Sequence, residues 1–95
     1  MPLFALHCVD KPNALDLRMA TREAHLAYVG GFRDQLRLGG PMLDANGDMA
    51  GSLIIIETDD LAAAEAFSAA DPYKLAGLFE RVTISAFKPT LGKLG

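Results

Sequence analysis

Two short segments rich in bulky apolar residues, a long stretch of helical periodicity between them, and an Asn-Gly pair leading into the second predict an α+β fold with an antiparallel sheet. The 95 residues suit one domain spanning 1–95, and the 51% apolar content belongs to a globular chain rather than a disordered one.

The first strand is "PLFALHCV", residues 2 to 9, apolar on both faces and closed by "DKPN". Asn13 is placed to cap a helix whose first turn carries Asp16, a favourable charge at the positive end of the backbone dipole. The pattern carries this helix to about Leu38, where Gly39, Gly40 and Pro41 stop it. Gly30 and Gly31 interrupt it at a cost of about 2 kcal/mol relative to alanine, which calls for close approach of another backbone. They do not make a phosphate loop, since the surrounding residues match neither GxGxxG nor a GK[ST] ending.

Asn46-Gly47 is the dipeptide preferred where both turn residues need positive φ, so it predicts a hairpin, irregular around Gly51. Its second arm, Ser52 to Thr58, is again apolar on both faces, with Leu53 and Ile55 opposing Ile54 and Ile56. Asp59 or Asp60 then opens a helix with Leu61, Ala64 and Phe67 on one side. Asp71 caps a second short helix with Pro72 in its first position, and "RVTISAF", 81 to 87, alternates as an edge strand.

This β-α-β-β-α-β order is the ferredoxin-like sandwich, with both helices on one face of the sheet and strands one and three at its centre. Those two strands are the ones apolar on both sides, so the face away from the helices needs a cover. A second copy stacked sheet on sheet supplies it, which predicts a symmetric homodimer. The last residues, 89–95, are either a loose tail or an arm laid on the partner.

Composition excludes several functions. Twelve acidic against nine basic residues give a net charge of −3, and the basic ones are scattered, so nucleic acid is not an expected partner. No wholly apolar run approaches the roughly 20 residues that cross a bilayer, and the reading is of a cytoplasmic protein with no membrane contact. Cys8 is alone, and it reads as a small buried thiol rather than a nucleophile. Two histidines without ligand spacing are a poor metal set, and no metal is expected.

The long helix carries a puzzle in "RMATREAHLAYV". At 100° per residue, Arg18, Arg22 and His25 share a sector with Leu15, Leu26, Val29, Phe32 and Leu36. The sector is apolar toward its C-terminal half and cationic or polar toward its start, as though the core ended and a lined cavity began. The plainer alternative gives His25 a backbone carbonyl, sends the arginines to water, and leaves Asp71 as a helix cap only.

Over nearly its whole length the chain resembles the YCII-related family, in "RMATREAHL" (18 to 26), "GGPM" (39 to 42), "GSLIIIE" (51 to 57), "ADPY" (70 to 73) and "VTISAFKP" (82 to 89). Each segment is short and unspecific alone; the match lies in their order and spacing. The resemblance implies a ferredoxin-like dimeric α/β barrel and a cleft in which His25 and Asp71 come together as the catalytic pair. Arg18, Arg22, Ser52 and Tyr73 lie in the matched segments as substrate-binding residues.

An imidazole with an ordinary pKa near 6.5 moves protons around neutrality, a carboxylate beside it fixes its tautomer, and an arginine holds a developing enolate or phenolate oxygen. These parts suit isomerisation or a lyase step on a small aromatic or keto-acid-like molecule, with no cofactor. The alternative is a non-catalytic dimer that binds a small metabolite in the same cleft.

Overall fold

The computed structural model describes residues 2–93, in which seven elements follow in order: β1 (Leu3–Asp10), α1 (Leu15–Gly30), β2 (Leu36–Leu43), β3 (Met49–Glu57), α2 (Leu61–Ala69), α3 (Pro72–Leu75) and β4 (Phe79–Phe87). The strands form one antiparallel sheet in the order β2-β3-β1-β4, so β1 and β3 are central. This is the ferredoxin-like arrangement.

Alternation decides which residues reach the helices. Phe4, Leu6, Cys8 and Asp10 of β1 are buried, as are Ser52, Ile54 and Ile56 of β3, and the apolar ones among them pack with Ala64, Phe67, Tyr73, Leu78 and Phe79. The alternate residues of these strands, and their neighbours across the ladder, face the other way. Leu38, Met42, Leu53 and Phe87 are exposed there, beside His7. At Gly51 the central strands come unusually close: a Cβ would sit 2.4 Å from the Cys8 carbonyl oxygen, so only glycine fits.

The first helix ends eight residues earlier than its periodicity predicts. Gly30 and Gly31 do not interrupt it; they terminate it, with the Gly31 N–H donating to the Tyr28 carbonyl and the Phe32 N–H to that of Val29. Nor does another backbone approach them, since a Cβ on Gly30 would meet nothing within 4 Å. Leu36 and Leu38 fit a helical stripe, yet they pair with Ile56 and Ile55 as the start of β2. A short apolar stretch satisfies either period, and the glycine pair tips the choice.

Two turn assignments also change. Asn13 does not cap α1; Ala14 precedes the helix with no side-chain cap, and Asn13 takes a φ of 58° to turn the chain. In the hairpin only Gly47 is left-handed, at φ 83°, because the Asp44 carboxylate organises a wider loop by accepting from the Asn46 and Asp48 N–H groups. The irregularity expected near Gly51 is present as a register shift between Met42 and Leu43, whose partners are Gly51 and Met49.

The later elements follow their expected caps. The Asp60 side chain accepts from Ala63 N–H at the start of α2, and Asp71 from Tyr73 N–H at the start of α3, with Pro72 in the first turn. Strand β2 lies at the sheet edge and contains Pro41. Of the expected arm, 89–93 are exposed and without regular structure, while 94 and 95 lie outside the described residues.

Candidate active site

Four elements meet at a cavity of about 180 Å³. Helix α1 contributes Arg18, Arg22 and His25, strand β3 Ser52, and α3 Tyr73; the edge strand closes the far side with Gly39, Gly40 and Pro41. Asp71, at the junction of α2 and α3, stands behind His25.

The His25 Nδ1–H donates to both oxygens of Asp71, at 2.9 and 3.1 Å. A carboxylate can only accept, so the bond puts the ring proton on Nδ1 and leaves the lone pair of the neutral ring on Nε2. Among the described residues Nε2 has no partner, and no fully buried side-chain nitrogen is left unpaired; Nε2 is therefore reached by solvent. The Tyr73 ring stacks on the imidazole at 4.0 Å and 16°. Its backbone N–H holds the same Asp71 oxygen at 2.9 Å, so one carboxylate both starts α3 and aims the histidine.

Arg18 is 2% exposed, yet its charge is matched: Nε and one terminal nitrogen donate to the two oxygens of Asp10, at 2.7 and 2.9 Å. That terminal nitrogen also donates to Ser52 Oγ at 2.9 Å, and the guanidinium carbon lies 4.6 Å from the centre of the Tyr73 ring. Burial works against the charged guanidinium, but the Asp10 hydrogen bond and charge outweigh it and raise its pKa. Burial likewise raises the Tyr73 phenol, with Arg18 and then Arg22 pulling the other way. Burial pushes the Cys8 thiol up to about 12, with the Asp71 charge adding to the effect, so it is no thiolate nucleophile.

All six residues singled out in the sequence converge here, five on the cavity wall and Asp71 behind it. Arg22 differs from the rest in being exposed. The sequence reading missed Asp10. Its one signal was an acid closing a strand that is otherwise apolar, eight residues before a helix-face arginine. Among the described residues, no group of three or more His, Cys, Asp or Glu is arranged to hold a metal ion.

Comparison with known proteins adds three findings. Residues 2–88 match the family model described as the YCII-related domain. The chain is similar to Protein YciI of Escherichia coli, 39% identical over 94 residues covering 90% of this chain and 96% of that one, and to an uncharacterised protein of Haemophilus influenzae, 32% identical with coverage of 90% and 95%. Among solved structures it is similar to a 5-chloro-2-hydroxyhydroquinone dehydrochlorinase from Burkholderia phenoliruptrix in complex with 2,5-dihydroxybenzoquinone. That pair superposes with a TM-score of 0.86 at 33% identity over 90% of this chain and 93% of the other.

Proposed function

The chain belongs to the YCII-related family, and from that premise we propose that it is a small acid-base enzyme catalysing a lyase or isomerase step on an oxygenated ring or keto-acid-like molecule. The observation that carries this reading is the His25–Asp71 pair, with Nδ1 held at 2.9 Å and Nε2 open to the cavity. His25 takes and returns the proton, Asp71 fixes its tautomer, and Ser52, Tyr73 and the arginines surround the bound molecule.

The similar dehydrochlorinase gives the reaction class a concrete form. On a halogenated, polyhydroxylated ring, a proton moves from a ring hydroxyl to the carbon bearing the halogen. Halide then leaves with the bonding pair as a second hydroxyl gives up its proton, and the net change is loss of HX. Each transfer needs one group that is a base and then an acid near neutrality, which a histidine of fixed tautomer supplies.

A homodimer is part of the same reading. The apolar outer face around Leu38, Met42, Leu53 and Phe87 supports a second copy stacked sheet to sheet, closing a two-layer barrel.

The test is halide release and the change in ultraviolet absorption on incubation with halogenated hydroxyhydroquinones, for the wild type and His25→Asn. Turnover should be lost in the variant while its melting temperature holds. Equal turnover in the variant would remove the mechanism, and binding without any turnover would favour the non-catalytic metabolite binder.

A further inference from the structure

The polar groups around the cavity are unevenly engaged. Arg18 is ion-paired with Asp10 at 2.7 Å, and the Asp71 carboxylate is held by the His25 Nδ1–H at 2.9 Å. Arg22, one turn along α1 from Arg18, lines the same cavity, is exposed, and has no hydrogen-bond or ion-pair partner among the described residues. A chain of net charge −3 thus keeps one guanidinium without a direct partner among the described residues at this opening.

The hydroxyls are similarly one-sided. Tyr73 is 1% exposed and lines the cavity, and the charges felt by its phenol are led by Arg18 and Arg22, neither of which can accept its proton. The next, Asp71, is engaged by the imidazole and by the Tyr73 backbone. No protein group among the described residues accepts the Tyr73 proton. Ser52 Oγ accepts from Arg18, which leaves its own proton for the cavity. Opposite these side-chain donors, His25 Nε2 offers an acceptor.

We propose that Arg22 and the Tyr73 hydroxyl form the seat for an anionic oxygen of the ligand, and that Arg18 is a positioning residue which carries none of the ligand's charge. The inference rests on the acid-base reading of the same cavity and deepens it. Arg18 is neutralised by Asp10, and moving it toward a ligand would strand a buried carboxylate. Arg22, without a partner among the described residues, gives up only hydration. The ligand class that fits is an enolate, a phenolate or a similar delocalised oxyanion, with a further exchangeable proton facing His25.

The probe is 2,5-dihydroxybenzoquinone, a vinylogous acid that is anionic at neutral pH, set against neutral hydroquinone in calorimetric titrations of the wild type, Arg22→Gln and Tyr73→Phe. The wild type should bind the anion at least about tenfold tighter than hydroquinone, and each variant should lose about tenfold for the anion while changing little for hydroquinone. Added salt should weaken anion binding by the wild type and not by Arg22→Gln. Arg22→Gln binding the anion as tightly as the wild type overturns the seat, as does a wild type that prefers neither probe or binds neither. Should Tyr73→Phe fold poorly, the exposed Arg22 position decides alone. If charge-selective binding is found without halide release, the enzymatic reading fails and the seat survives. If turnover requires His25 but ignores Arg22 in both binding and rate, the reverse holds.

Discussion

Tyr73 and His25 are held by one carboxylate: the imidazole and the Tyr73 backbone N–H both donate to Asp71 Oδ1 at 2.9 Å, and the two rings stack 4.0 Å apart. The relative position of imidazole and phenol is therefore fixed by a helix cap rather than by a loop. Aspartate before proline would be needed here for structure alone, which is why its second task is hard to see from the motif.

That double role separates under substitution. Asn still accepts from the Tyr73 N–H but offers the imidazole a weaker, neutral partner. Asp71→Asn should keep its melting temperature near the wild-type value while turnover falls about 10²–10⁴-fold. Paired thermal melts and halide-release assays read both, and a variant of undiminished turnover would deny Asp71 its part.

The Arg18–Asp10 pair is buried on both sides, at 3% and 4% side-chain exposure. Removing one partner leaves an uncompensated charge, so Asp10→Ala should cost about 3–5 kcal/mol in urea unfolding. The double variant Asp10→Leu/Arg18→Met should cost less than Asp10→Ala alone, since no charge is left stranded.

Two glycines should respond in opposite ways. Gly51→Ala drives a Cβ to 2.4 Å from the Cys8 carbonyl and should cost about 1–3 kcal/mol or more through strand displacement. Gly40→Ala meets nothing within 4 Å and should be neutral or stabilise by about 0.4–1 kcal/mol through the unfolded chain. Denaturant midpoints of the two variants check the contrast.

Cys8 sets an alkaline limit. Its folded value of about 12 lies above the ordinary 9.0, so the folded state holds this proton more tightly than the unfolded chain does. The stabilisation is complete below pH 9.0 and is lost as pH climbs toward about 12. Urea midpoints should fall across that interval more steeply in the wild type than in Cys8→Ala. A contribution from Tyr28 and Tyr73, whose values burial also raises, stays in both.

The outer sheet face should govern assembly. Leu53 lies on the central strand β3 opposite His7, and Leu53→Glu puts a charge where a second copy would stack. Sedimentation should show a dimer for the wild type and a monomer for the variant, with the circular dichroism unchanged.

The strand order, the two central strands, the cap at Asp71 and, to within Asp59 or Asp60, the cap of α2 were legible because each depends on local pattern: alternation, or a short polar residue before an apolar run. The end of α1 was not, since Leu36 and Leu38 fit two periods and the deciding term is the cost of Gly30 and Gly31 within a helix. His25 and Asp71, 46 residues apart, came from family resemblance; no spacing rule joins them. Asp10 escaped because the partner of a buried arginine is set by where β1 ends relative to α1, a tertiary fact.

Pro41, in the edge strand beside the cavity, has no N–H to offer. A neighbouring chain cannot add itself there as a fifth ribbon with an unbroken ladder, so growth of the kind that leads to fibres is checked at that margin.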